Sequence, residues 1–344
     1  MKLIQVLLSQ PQKELVSRVK QLNLQCNAHS RQQVTEELSK ALLNKDRLTK
    51  SWEQLSMSEK HLLLQLCYRT SLQFISSDEL KICLKKDDRG EFDNIVGTLK
   101  GNGWIYQDAN YYWVLPLELQ SWLHKKMYED WSEEFLIVPQ NKSAPYSAVN
   151  DVYRFLEIVS DKKIALTKNN IIYKKELTYI LSQLSKKELL PDEKWRFGYG
   201  RHFQVYPDCF SFLYDFCFEQ GWIRETDQLI VTKKWQKGQG LSVNELLNRM
   251  IRSYTKLYRR AIPQLPFIIE MTEKLLGNGD AIEKESFILR IKEYIDSYYY
   301  DKPRNIAEKR ILQLLEYIHF LSSSKINGST YLFLHPRFLY TKLK

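Results

Sequence analysis

A chain of 344 residues, 44% hydrophobic and 27% charged, has the composition of an ordinary soluble globular protein and the length for two or three domains. No apolar run approaches the length of a membrane-spanning helix, so no membrane partner is expected. The formal charge of +10 is uneven: residues 1–135 carry 18 Lys and Arg against 18 Asp and Glu, 136–240 carry 16 against 12, and 241–344 carry 17 against 11. A polyanion would therefore be met by the later two thirds of the chain.

Taken in chain order, the start MKLIQVLLSQPQ is too brief an apolar stretch for a signal peptide, and no small-residue cleavage site follows it. A cytoplasmic location is expected. Residues 1–50 predict a helical scaffold with Leu15, Val19 and Leu22 on one stripe and Val34, Leu38, Ala41 and Leu42 on another. Ser56 with Glu59, and Ser76 with Glu79, are capping boxes that open the next two helices. A third helix carries Phe92, Ile95, Val96 and Leu99, and GNGWIYQDANYYWVLP then supplies a glycine stop and two strand-like runs. Three helices followed by a hairpin predict a winged-helix-like unit over 51–138.

The order returns at 147–237. IALTKNNIIYKKELTYILSQL predicts a hairpin of strands 164–167 and 171–173 around Lys168, Asn169 and Asn170, running into a helix with Leu177, Ile180, Leu181 and Leu184 on one face. From Pro207 a second helix carries Phe210, Leu213, Tyr214 and Cys217 until Gly221 stops it. GWIRETDQLIVTKK at Gly221 echoes GWIYQDANYYWVLP at Gly103 in glycine, tryptophan, isoleucine and a turn before the second apolar strand. Residues 243–344 predict a basic helix and a third such unit: Ile288, Ile291, Ile295 and Tyr298 on one helix, Ile311, Leu314, Leu315 and Ile318 on another, then an Asn327-Gly328 turn. The predicted fold class is mainly α with small β-hairpin wings, in tandem winged-helix-like units.

LTKNNIIYKKEL, followed by a helix, GWI and LIVT, resembles the helicase-associated family related to the N-terminal domain of XPB-type DNA repair helicases, as does YYWVLPLEL in the first unit. The resemblance extends over residues 50–340 and implies a DNA-repair or helicase-associated setting. No helicase motor accompanies it, since the phosphate loop GxxxxGKS/T is absent.

Catalysis lacks its minimal parts. HExxH and GxSxG are also missing. Pro191-Asp192-Glu193-Lys194 resembles a nuclease metal motif, but adjacent carboxylates on one loop point different ways, and a solvated turn is the simpler reading. His202 with Cys209 would need a third orienting group. The five cysteines, Cys26, Cys67, Cys83, Cys209 and Cys217, form no CxxC pair. No enzyme, cofactor or metal is expected.

Nucleic-acid contacts are predicted in three places. KWRFGYGRHF interleaves Lys194, Arg196 and Arg201 with Trp195, Phe197, Tyr199 and Phe203, which suits cations on phosphates and rings on splayed bases, or else rings plugging a core. Along 248–260, Arg249, Arg252, Lys256, Arg259 and Arg260 gather on one helical side, as a phosphate ridge, a solvated face or an internal partner for acidic residues. Lys233 and Lys234, beside the second wing, are a third candidate. The helix that would ordinarily enter the major groove instead carries Asp208, Asp215 and Glu219 on one stripe beside Phe212, read as exposed, and so faces protein or solvent. The expected function is non-catalytic DNA binding, through the backbone or single strands, as an accessory to repair or helicase machinery. The alternative is an interaction scaffold whose winged helices bind a helicase or other partner without touching DNA.

Overall fold

Helices begin where side chains satisfy the first free N–H groups. In the computed structural model, which describes residues 1–68, 75–138, 147–191 and 197–339, Glu59 Oε2 accepts from the Ser56 N–H at 2.7 Å while Ser56 Oγ accepts from the Glu59 N–H at 3.3 Å. Ser76 with Glu79 and Ser242 with Glu245 close the same reciprocal box, each cap being worth about 1 kcal/mol. The chain is mainly helical with small antiparallel sheets, and it divides into two compact units, residues 1–133 and 134–344. Among the described residues no helix is long and apolar enough to cross a membrane.

The first unit opens with α1 (Leu3–Ser9), α2 (Gln12–Gln21), α3 (Arg31–Leu42) and α4 (Lys45–Gln54). Leu15 and Val19 meet Val34, Leu38 and Leu42 in a core that also takes in Tyr106 and Val114. After α5 (Met57–Tyr68) come α6 (Ser77–Cys83), α7 (Phe92–Gly101), the hairpin β1 (Tyr106–Gln107) and β2 (Trp113–Val114), and α8 (Leu117–Ser132). Ile75, between α5 and α6, bridges to Trp113 of β2, whose N–H donates to Ile75 O at 2.9 Å.

The second unit runs β3 (Phe135–Ile137), α9 (Ser147–Asp161), β4 (Ile164–Ala165), α10 (Lys174–Gln183), α11 (Asp208–Glu219), β5 (Ile223–Glu225), β6 (Gln228–Val231) and α12 (Lys234–Gly238). It continues with α13 (Val243–Tyr258), α14 (Leu265–Leu276), β7 (Asp280–Glu283), α15 (Lys284–Ile291), α16 (Pro303–Asn305), a π-helical stretch (Ile306–Leu312), α17 (Gln313–Tyr317), β8 (Leu321–Ile326), β9 (Ser329–Leu334) and α18 (Pro336–Leu339). Its two sheets are ordered β4-β6-β5 and β3-β7-β9-β8, all antiparallel.

Among the described residues one order therefore occurs three times: helix, short strand or bridge, two helices, hairpin, with the first strand paired to the last, the second helix of the third repeat being the unbroken run 303–317. Ile75 pairs with β2, β4 with β6, and β7 with β9. Each time the helix before the hairpin ends on a residue with positive φ, Gly103 (+80°), Gly221 (+68°) and His319 (+54°). The next N–H, of Trp104, Trp222 or Phe320, donates back to Leu99, Cys217 or Leu315 at 2.9 Å, closing the helix end.

Two expectations are corrected. The hairpin over 164–173 reduces to a Leu166–Ile172 bridge and a tight turn at Asn170 (φ +59°), because α10 begins at Lys174 and leaves the second arm too short; Ile164 pairs with Leu229 of β6 instead. Ile295 and Tyr298 do not continue the helix of Ile288 and Ile291: α15 stops at Ile291, and the backbone is extended by Ile295.

Candidate nucleic-acid interface

The loop after α10 is shaped by the helix it lies on. Asp215 of α11 accepts from the Arg201 N–H at 2.9 Å, and Ser211 Oγ donates to Arg201 O at 2.9 Å. The loop backbone is pressed so close that a Cβ on Gly200 (φ +88°) would meet Asp215 Oδ2 at 2.5 Å and Ser211 Oγ at 2.8 Å. Only glycine fits there. Burial pushes the Asp215 carboxyl up to about 6, against the pull of the Arg201 N–H and guanidinium.

This arrangement turns Phe197 and Tyr199 toward a second segment. Residues 298–301 form a tight turn in which Tyr298 and Asp301 exchange both backbone hydrogen bonds at 3.0 Å, with Tyr299 at φ +50°. A bulky residue in that region is held there only by its surroundings. The Phe197 ring lies 5.7 Å from the Tyr299 and Tyr300 rings and 5.9 Å from Tyr199, which in turn meets Tyr258 of α13 at 5.8 Å. Between them is a cleft of about 340 Å³ whose lining includes Leu257, Arg260 and Ala261 at the end of α13. Tyr199 and Tyr258 are buried, whereas Tyr299 and Tyr300 are 77% and 69% exposed.

Beneath the cleft one buried arginine ties the segments together. Arg310, in the π-helical stretch, pairs with Asp208 at 2.7 Å and Asp301 at 2.9 Å, and donates to Phe197 O at 2.9 Å. Burial alone would lower the guanidinium's hold on its proton; Asp208 and Asp301 more than reverse that. Its own carbonyl accepts from Tyr254 Oη at 2.6 Å. A π-turn at such a junction is a common functional device.

Of the residues expected to bind nucleic acid, Arg249, Arg252, Lys256, Arg259 and Arg260 are all exposed on α13 and the turn after it. Arg249 donates to Gln220 at 3.4 Å and Lys256 pairs with Glu219 at 2.7 Å, while Arg252, Arg259 and Arg260 have no ion pair among the described residues. From Arg249 to Arg260 the ridge rises roughly 16 Å and ends at the cleft. Lys233 and Lys234 are exposed where α12 starts, the Lys234 side chain covering Gly221. Lys194, Trp195 and Arg196 lie outside the described residues, as do Asp192 and Glu193 of the nuclease-like motif. Arg201 is a correction. Its guanidinium lies 3.7 Å over the Phe218 ring, between Asp215 at 3.6 Å and Glu225 at 3.5 Å, so its charge is used inside the unit.

The acidic stripe is corrected too. Phe212, expected to be exposed, is fully buried against Tyr254 and Tyr258, and Asp215 is buried under the loop. Asp208 is held by Arg310. Glu219 accepts from Ser253 and Lys256; although burial draws its carboxyl upward, those partners keep it below the ordinary value. Helix α11 is buried all round from Cys209 to Cys217, because it packs against α9 and α13, so it presents no free face there. Burial drives the Cys209 thiol well up, away from the thiolate a nucleophile needs. Among the described residues no group of His, Cys, Asp and Glu is placed to hold a metal.

No family model matches the chain, and no curated protein does. The reading of the site thus rests on its chemistry. The residues missed in the sequence are Tyr298, Tyr299 and Tyr300. The signal was available in DSYYYDKP, where three tyrosines stand between two aspartates ahead of a proline, a composition poor for a helix end and suited to a turn.

Proposed function

We propose that this protein is a non-catalytic DNA-binding accessory made of three winged-helix units, which grips the phosphate backbone with the α13 ridge. Supporting the winged-helix reading is the thrice-repeated order of helix, strand, two helices and hairpin, with the first strand beside the last. The departure from the usual mode of binding is that the helix before the hairpin in the second repeat, α11, is buried, so the ridge takes over as the contacting surface. The observation that carries the DNA reading is the ridge itself: five exposed cations on one side, four without ion pairs among the described residues, leading into an aromatic cleft. Association with repair or helicase machinery follows from the resemblance of LTKNNIIYKKEL and belongs to the same proposal. The scaffold alternative rested on an outward acidic stripe, and that stripe is engaged internally.

The test is a salt series of binding to single-stranded and duplex DNA by fluorescence anisotropy. Affinity falls steeply with salt, and replacing Arg252 or Arg259 by alanine lowers the log–log slope by about one and weakens all sequences alike. Unchanged affinity after joint replacement of Arg249, Arg252, Lys256 and Arg259 overturns the reading.

A further inference from the structure

We infer that the cleft between the 197–200 loop, the 298–301 turn and the end of α13 is a pocket for one unpaired nucleobase of a DNA strand, whose neighbouring phosphate is met by Arg260. The inference rests on the DNA reading above and adds to it a form of ligand that the ridge alone would not select.

Three observations point to a base. The pocket, about 340 Å³, is walled by the rings of Phe197, Tyr199, Tyr258, Tyr298 and Tyr299, and a single charge, Arg260, stands in its lining. Aromatic walls with one cation at the rim fit a flat π-system carrying a negative group, and disfavour a cationic guest, which Arg260 would repel. The nearby carboxylates, Asp208 and Asp301, share the one guanidinium of Arg310, and the negative charge left over is balanced by Arg260 in the cleft lining, so the site as a whole does not oppose an anion. The rings are also presented before any ligand arrives. The turn exchanging two hydrogen bonds fixes Tyr299 and Tyr300 outward, and Arg310 fixes Phe197 through its carbonyl. A duplex keeps its bases stacked inside, so a site of this kind discriminates single strands from duplexes, in contrast to a row of cations.

A free nucleotide offers the same chemistry as a base within a strand, and the experiment separates them. An oligothymidylate carrying one 2-aminopurine, the same strand paired in a duplex, and 2-aminopurine deoxyriboside monophosphate alone are each titrated with the 344-residue chain. Stacking in the cleft quenches the fluorescence of the strand, and the duplex and the mononucleotide at equal concentration give no response. Tyr299→Ala weakens single-strand binding by about 5- to 150-fold, leaves duplex binding and the salt slope in place, and keeps the melting temperature; Tyr299→Phe retains binding. Arg252→Ala, as the contrast, weakens strand and duplex alike. Strand binding with normal salt dependence but no loss in Tyr299→Ala, or equal losses on strand and duplex, overturns the pocket and leaves the ridge standing. Quenching by the mononucleotide without quenching of the strand overturns the assignment to a strand. Absence of salt-dependent binding to any DNA overturns the DNA reading and the pocket with it.

Discussion

Replacing Arg310 by methionine keeps the length of the side chain and removes its charge, and the structure sets the size of the effect. The Arg310 side chain is 7% exposed and its partners Asp208 and Asp301 are 17% and 11% exposed, so the change removes the cation that two largely buried carboxylates share. Breaking a buried pair from one side costs about 3–5 kcal/mol, and the carbonyl of Phe197, left without its donor, adds about 1 kcal/mol. A loss of roughly 4–6 kcal/mol compares with a total stability of about 5–15 kcal/mol for a folded domain. The variant should unfold at far lower urea, followed by aromatic fluorescence at neutral pH. One control separates electrostatics from packing. Adding Asp208→Asn and Asp301→Asn to Arg310→Met recovers most of the loss, since a neutral cluster need not be paired. A loss below about 1 kcal/mol, or one that the added substitutions do not reduce, would refute the reasoning.

Other outcomes follow from single sites. Gly200→Ala places a Cβ against Asp215 and Ser211 in a left-handed backbone and should cost about 2 kcal/mol, whereas Gly90→Ala, with nothing within 4 Å, should be neutral in the same thermal melts; equal melting temperatures for the two would refute the steric account. His319 Nε2 accepts from the Ser147 N–H at 2.9 Å, and burial pushes the imidazole down to about 4 from an ordinary 6.5. The unfolded chain therefore binds more protons in that interval, and stability is lost progressively as pH falls from about 6.5 to about 4; His319→Asn should flatten that part of the curve, and superimposable curves would exclude His319 as its source. Lys256 and Glu219 are 73% and 20% exposed, so their pair should show a coupling of about 1 kcal/mol or less in a double-mutant cycle, with joint reversal restoring it; a coupling above about 2 kcal/mol would mean the pair is far less solvated than its exposure indicates.

Local chemistry was legible in the sequence where it acts over a few residues. The capping boxes at Ser56 and Ser76, and the helix stops at Gly103 and Gly221, could be read because their partners lie within three to five positions. The third helix stop could not, since His319 occupies the positive-φ position where glycine was the cue. The five cations on one side of α13 followed from helical period alone. What the period could not say is which charges are already answered by distant residues: Asp208 by Arg310, about a hundred positions away, and Glu219 by Lys256. Phe212 was misjudged for a related reason. A helix covered on several sides by other helices has no polar face, and the stripe of acids on α11 looked like one until Arg201, Ser253 and Arg310 were seen to meet it. The cleft was half visible, as Phe197 and Tyr199 on one segment and Arg260 on another, but the turn that completes it was hidden by extending α15 too far.

The edge strand β3 has a consequence for how the protein is made. Its partner β7 lies roughly 140 residues later, so on a ribosome adding about 5–20 residues per second the strand waits some 7–30 s before it can pair. During that interval Leu136 and Ile137, which remain exposed even in the finished fold, stand on an open strand whose N–H and C=O groups can template another chain. Pauses or truncations between residues 138 and 280 should therefore drive the nascent chain toward aggregation, and a holdase that shields one short apolar strand would relieve it.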